Sequence, residues 1–266
     1  MTCIVHISDL HFGREQPLLV AALAAQIAHL APDLVVASGD LTQRARPREL
    51  RAAAAFLSQL PPPVLVIPGN HDMPGAHPRR LLDPWRGWRT HFGPDLEPVV
   101  AGADFIAVGI NSARRWGWHP DWSRGRLHPL QIEAVAARLQ ATPAHALRIL
   151  AAHHPLLLTP AGAGRGLVGG HVLALARLRA AGLDLALGGH VHLGYADVTA
   201  GIVVAHSGSS VSNRLIGEAN GFNLISGDRT ALRVEHWQWQ GHAFAVASAV
   251  GFQRGDQGWQ RAIAPV

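Results

Sequence analysis

The chain of 266 residues contains no lysine, a single cysteine, Cys3, and a single tyrosine, Tyr195. One thiol cannot form an internal disulfide, and a chain that is 48% hydrophobic has no need of one. Only 15% of the residues are charged, which excludes a disordered polyelectrolyte. No uninterrupted apolar run approaches the length that spans a bilayer. The N-terminal Met1-Thr-Cys-Ile-Val-His-Ile passes directly into a strand-like pattern with no basic and long apolar leader, so a cytoplasmic protein without a membrane span is expected. The absence of lysine also explains the charge balance. All 23 cations are arginine against 18 acids, and with one tyrosine almost nothing titrates above neutrality, so a formal charge of +5 carries the pI to about 11.0. That value is no argument for nucleic-acid binding, and no dedicated basic tract is present.

Histidine, in contrast, is abundant, with 17 copies. The chain opens as β-α-β-α-β: apolar runs at 3–7, 34–37 and 64–67 alternate with helical patterns behind Pro17 and Pro47, the second running to about Leu60. Four prolines punctuate residues 72–96, with room for one short helix. Further strands are predicted at 105–110, 147–152 and 184–187, with helices from Pro129 and over 172–181. From Tyr195 the pattern turns to strands at 195–199, 202–206, 221–226, 231–239 and 242–248. The expectation is one domain over 1–250 and a tail over 251–266.

The chemistry lies where strands end. Asp9-Leu10-His11 follows the first, Gly39-Asp40 the second and Gly69-Asn70-His71-Asp72 the third. His153-His154-Pro155 and Gly188-Gly189-His190-Val191-His192 follow two later ones. In an open α/β sheet such ends share one edge, where ligands bind. Glycines beside Asp40, Asn70 and His190 suit turns that bring the backbone close to a ligand. Carboxylate, amide and imidazole without thiolate suit Mn²⁺, Fe or Zn²⁺. Seven candidate ligands are too many for one tetrahedral ion and match two ions about 3.5–4 Å apart that share a carboxylate. Two aspartates against two divalent ions leave a positive site that attracts a phosphoester.

The five motifs D-x-H, G-D, G-N-H-D, H-x-P and G-H-x-H, in this order over residues 9–192, resemble those of the calcineurin-like metallophosphoesterases, among them small bacterial class III cyclic-nucleotide phosphodiesterases. The resemblance implies a four-layer α/β sandwich, with two mostly mixed sheets flanked by helices and a dinuclear site at the strand C-terminal ends. It implies that Asp9, His11, Asp40 and His192 hold one ion, divalent or mixed-valence (Mn²⁺, Fe²⁺/Fe³⁺ or Zn²⁺). Asp40 would bridge, and Asn70, His153 and His190 would complete the other. It further implies in-line attack by a metal-bridging hydroxide on a small phosphodiester, with Asn70 and His71 reaching the substrate, His71 as general acid and Asp72 orienting it. A phosphomonoesterase, a nuclease or a nucleotide-sugar lipid pyrophosphatase would share this core. An interaction scaffold would have lost ligands, and here every position is filled.

Other features admit a bland reading beside a functional one. His154 reads as a packing group and His6 as a core histidine; His29, His77, His91, His119, His128, His145, His171, His236 and His242 read as surface or cap residues. The Trp-rich stretch Trp116–Trp122 reads as a lid or as packing. Arg44, Arg46 and Arg48 read as phosphate contacts or a solvated helix start. In the Ser/Gly-rich segment 207–214, Asn213 and Arg214 read as a clamp on phosphate or sugar or as a structural turn.

Overall fold

Every apolar run read as a strand forms one in the computed structural model, which describes residues 1–75, 78–115 and 122–262. Strand β1 (Thr2–Ile7) leads to helix α1 (Pro17–Leu30), β2 (Leu34–Ser38), α2 (Pro47–Leu57) and β3 (Val64–Ile67). Leu19, Leu23 and Ile27 form the buried stripe of α1, as their spacing predicts. Two short helices, α3 (Arg79–Leu82) and α4 (Arg86–Phe92), occupy the proline-punctuated stretch where one was expected. Strands β4 (Val99–Ala101) and β5 (Phe105–Ile110), helix α5 (Pro129–Gln140), strand β6 (Leu147–Ala152), helix α6 (His171–Ala180) and strand β7 (Leu185–Gly188) follow. The last six strands are β8 (Tyr195–Thr199), β9 (Ile202–His206), β10 (Gly221–Gly227), β11 (Ala231–Trp239), β12 (Phe244–Gly255) and β13 (Gly258–Arg261).

The strands form two mixed sheets, in the orders β13-β12-β11-β10-β1-β2-β3 and β4-β5-β6-β7-β9-β8. Ile4, Val36 and Ile67 of the first meet Ile149, Leu187 and Val203 of the second in one buried cluster. The outer face of the first sheet is covered by α1, α2 and α4, and that of the second by α5 and α6. These are the four layers expected. Residues 251–261, expected as a tail, instead extend β12 and add β13, because Phe252 and Trp259 are buried in the inter-sheet core. Of the Trp-rich stretch read as a lid or as packing, residues 116–121 fall outside the described residues.

Candidate metal centre

The motif-bearing strands do not belong to one sheet. Strands β1, β2 and β3 run parallel in the first sheet, and β6 and β7 run parallel in the second. Packing the sheets face to face, rather than extending one sheet, brings the five C-terminal loops together.

These loops are unusual in their backbone. Asp9, His11, Asp40, His190 and His192 adopt φ of 51°, 46°, 50°, 71° and 58°, the left-handed region that few non-glycine residues enter. Each such residue costs on the order of 1 kcal/mol or more, and such strain clusters where function requires it. Neighbouring glycines permit the close approach. A Cβ on Gly69 would run into Asp40 Oδ1, and one on Gly189 into Ser8 Oγ and Asp9 Oδ2.

The side chains converge in two groups around Asp40. Asp9 uses Oδ2 to accept bonds from Ser8 Oγ at 2.8 Å and the His190 N–H at 2.9 Å, leaving Oδ1 free. That oxygen lies 3.2 Å from His192 Nε2 and 3.6 Å from His11 Nε2, while the two imidazole nitrogens are 3.3 Å apart. Asp40 Oδ2 is 3.8 Å from His11 Nε2 and 3.4 Å from His153 Nε2, between the two groups. Its Oδ1 accepts the His71 N–H at 2.8 Å. Donors held about 2.1 Å from one ion lie roughly 3–3.5 Å from each other, so these separations suit edges of a coordination shell. His153 Nδ1 donates to Ser38 O at 2.8 Å and His192 Nδ1 to Arg214 O at 2.6 Å, which turns both Nε2 lone pairs inward.

The atoms left over identify what is absent from this list of partners. Asp9 Oδ1, Asn70 Oδ1, His153 Nε2 and His190 Nε2 are buried without a hydrogen-bond partner. Orphaned buried polar atoms are costly, and these four, all acceptors or lone-pair donors on the strand-end motifs, fit cations. Asp9-His11-His192 and Asp9-Asp40-His153 are each close enough to hold an ion, and so is His153-His154-His190. His154 also donates to or accepts from Ser112 Oγ at 2.8 Å and packs on the His190 ring.

Electrostatics agree. Burial would raise both aspartates, but His192 and His11 hold Asp9, and His153 and His71 hold Asp40, well below the usual carboxylate range. Against its burial, His153 is pushed up to about 9 by Asp40. Burial lowers His190 to about 3, with His153 adding to the effect. The carboxylates thus demand positive charge, which divalent ions would supply.

Two expectations change. Asp72 does not touch the His71 ring: its oxygens accept the N–H groups of Leu41, Thr42 and Gly69 at 3.1, 2.8 and 2.9 Å and the Thr42 hydroxyl at 2.9 Å. It therefore holds the backbone turn that carries Asn70 and His71. The ring is oriented by Gln43 O, which accepts from Nδ1 at 2.8 Å and leaves Nε2 facing outward. His236, read as a surface residue, is only 6% exposed. His6 is the core histidine expected, with Nε2 2.9 Å from Ser38 Oγ.

Beside the centre lies a cleft of about 660 Å³ lined by Gln43, Arg44, Asn70, His71, Met73, Gly75, Arg80 and Ser123. Of the three arginines after the second motif, only Arg44 reaches it; Arg46 pairs with Glu49 at the start of α2, and Arg48 lies beside Glu15 and Glu49. Arg80, unnoticed in the sequence, donates to the carbonyls of Pro74, Arg114 and Arg115 and ties that wall together. Arg214 Nη1 lies 3.2 Å from His71 Nε2 and 3.3 Å from the His11 ring nitrogens, whereas Asn213 is exposed. Arg44 and Arg214 were singled out by their place after a motif and after the Ser/Gly-rich segment, whereas Arg80 carries no sequence pattern that separates it from the other arginines. Backbone carbonyls such as Gln43 O and Ser38 O carry none at all.

The family model for calcineurin-like phosphoesterases matches residues 3–194. The chain belongs to that family. It is 39% identical over 80 residues to a glycerophosphodiester phosphodiesterase of Enterobacter lignolyticus, covering 26% of this chain and 29% of the relative. It is 26% identical over 166 residues to a probable cyclic nucleotide phosphodiesterase of Synechococcus sp., covering 57% of each. The chain thus spans less than two thirds of the length of either relative. A dimetal phosphatase from Danio rerio shares the fold at a TM-score of 0.68 with 14% identity, over 96% of this chain and 99% of that one. Members of the calcineurin-like family use a dinuclear divalent metal centre, and the two Asp/His groups around Asp40 are candidates for its ligands. Among the described residues, no helix is long and apolar enough to cross a membrane.

Proposed function

We propose that this calcineurin-like chain is a dinuclear-metal phosphodiesterase that acts on small phosphodiesters. The observation that carries the reading is the convergence of unpartnered buried donors from two sheets on Asp40. Asp9, His11, Asp40 and His192 would hold one ion, and Asp40, Asn70, His153 and His190 the other. Mn²⁺, Fe and Zn²⁺ all suit this oxygen and nitrogen set. When bound, the ions would neutralise phosphoryl oxygens and make a water acidic enough to act as nucleophile at neutral pH.

The chain's own residues supply the rest. Arg214 Nη1, at His11 and His71, is placed to meet a phosphoryl oxygen. His71 is held by Gln43 O on one side and by Asp40 through its backbone on the other, so Nε2 faces the cleft. In the imidazolium form it would deliver a proton to the leaving alkoxide, which then departs as the alcohol into the cleft. The names of the two curated relatives support a diester substrate over a monoester.

The test is turnover of cyclic nucleotides, glycerophosphodiesters, linear dinucleotides and monoesters by wild type and His71→Ala at controlled metal loading. Loss should be far larger for alkyl than for activated aryl leaving groups, because protonation matters most where the alkoxide is basic. Equal loss on both would refute the acid role, and a preference for monoesters would refute the diester assignment.

A further inference from the structure

Behind the centre runs a second set of buried polar groups that the proposed reaction does not use. His6 on β1 pairs across the sheet with Asn223 on β10, which pairs with His236 on β11. Their contacts have one direction. Asn223 Nδ2 donates to His6 Nδ1 at 3.3 Å, so His6 carries its proton on Nε2, 2.9 Å from Ser38 Oγ. Asn223 Oδ1 accepts from His236 Nδ1 at 2.9 Å, which leaves His236 Nε2 as a buried acceptor without a partner. The chain begins at Ser38, whose carbonyl holds His153.

Glu218 stands at the other end. Its Oε1 accepts the Gly194 N–H and lies 3.8 Å from His236 Nε2, and its Oε2 accepts from Gln238 Nε2 at 3.3 Å. Room for these contacts depends on two glycines. A Cβ at Gly194 would enter the His236 ring, and one at Gly208 would meet Glu218 Oε1 at 2.5 Å. Gly194 closes the turn that carries His190 and His192, while Glu218 closes the loop that carries Arg214.

We propose that Glu218 is a positioning residue of the metal centre, which fixes the 190–194 turn against the 213–217 loop and thereby sets His192 and Arg214. Burial raises Glu218 to about 7, although bonds from Gly194 and Gln238 favour the carboxylate. His236, lowered to about 4 by burial, stays neutral. The other titratable groups on the adjoining segments are engaged elsewhere. His192 donates to Arg214 O, Arg214 lies at His11 and His71, the Tyr195 hydroxyl donates to Leu157 O, and Glu235 is taken up by Arg233 and the Trp237 indole.

The inference rests on the proposed function only for its kinetic readout, so the test has two arms on manganese-loaded protein. Glu218→Gln preserves the shape: its carbonyl can accept from Gly194, and its amide meets Gln238, whose own amide can turn to accept. Glu218→Ala removes both contacts. Amide exchange over 190–194 and 213–217 should quicken about tenfold in Glu218→Ala, the scale of one lost hydrogen bond, and stay at the wild-type rate in Glu218→Gln. With bis(4-nitrophenyl) phosphate, kcat/KM should fall about tenfold in Glu218→Ala. Glu218→Gln should stay within about twofold of wild type. Unchanged exchange in Glu218→Ala, or Glu218→Gln as impaired as Glu218→Ala, would overturn the proposal. If Glu218→Ala does not fold, Glu218→Leu, which fills the space without accepting from Gly194, takes its place. If no variant hydrolyses a diester, the functional reading fails while the exchange result still decides this one.

Discussion

Replacing Asp72 by asparagine separates a residue that builds the turn from one that takes part in proton transfer. Each Asp72 oxygen accepts two bonds: Oδ1 from the Thr42 N–H and hydroxyl, and Oδ2 from the N–H groups of Leu41 and Gly69. An amide can keep only one of these acceptors. The least costly arrangement puts the NH₂ toward Thr42, whose hydroxyl can turn to accept, and leaves the Thr42 N–H without a partner. A hydrogen bond to a charged group contributes about 1.5–3 kcal/mol, and a buried unsatisfied N–H costs about 1–3 kcal/mol more, so a loss of roughly 3–5 kcal/mol is expected. Urea unfolding of the metal-loaded variant at pH 7 measures this. The same variant should turn over more slowly, because the turn carries Asn70 and His71, yet its rates across a series of leaving groups should fall in the same proportion as in wild type. A variant that loses less than about 1 kcal/mol, but becomes selectively slow on basic leaving groups as His71→Ala should, would refute the structural role argued for Asp72.

Asp40→Ala should remove at least one ion and nearly all turnover, because Asp40 Oδ2 lies between His11 and His153. Metal counting of the purified variant checks this; two ions per chain with a near-normal rate would refute the bridging assignment. Chelated protein should be steeply acid-labile. His6, His190, His206 and His236 are lowered to about 3, 3, 4 and 4, and His154 well below its ordinary value, chiefly by burial. Below about pH 6.5 the unfolded chain therefore binds protons on these five, and on His11, which burial also lowers, that the native chain does not. Burial acts the other way on Asp72 and Glu218, raised to about 6 and 7, where the native chain binds protons that the unfolded chain lacks. The balance of about three to four protons makes stability fall by roughly 4–5 kcal/mol per pH unit between about pH 6 and 4.5. Urea midpoints across that range test it, and a slope below one proton would show that these histidines are not held neutral.

The strands and principal helices were legible because their signals are local. Alternation and β-branching mark a strand, and the Leu19-Leu23-Ile27 stripe marks α1, whatever the rest of the chain does. The fate of residues 251–261 was not legible, since Gly251, Gly255 and Gly258 weaken the strand pattern, and only burial of Phe252 and Trp259 between the sheets decides it. The candidate ligands were readable as motifs after strands. The groups that orient them were not: Gln43 O and Ser38 O are backbone atoms, identical in every residue type.

By itself the sequence determined the order of the elements, the inventory of candidate ligands and the turns that present them, because each depends on a few adjacent residues. Only the tertiary structure decided that the five loops come from two sheets, that Asp72 holds backbone while Gln43 orients His71, and that His236 is buried behind the centre. Those are relations between residues far apart in the chain, fixed by which apolar faces pack together, and no single segment encodes them.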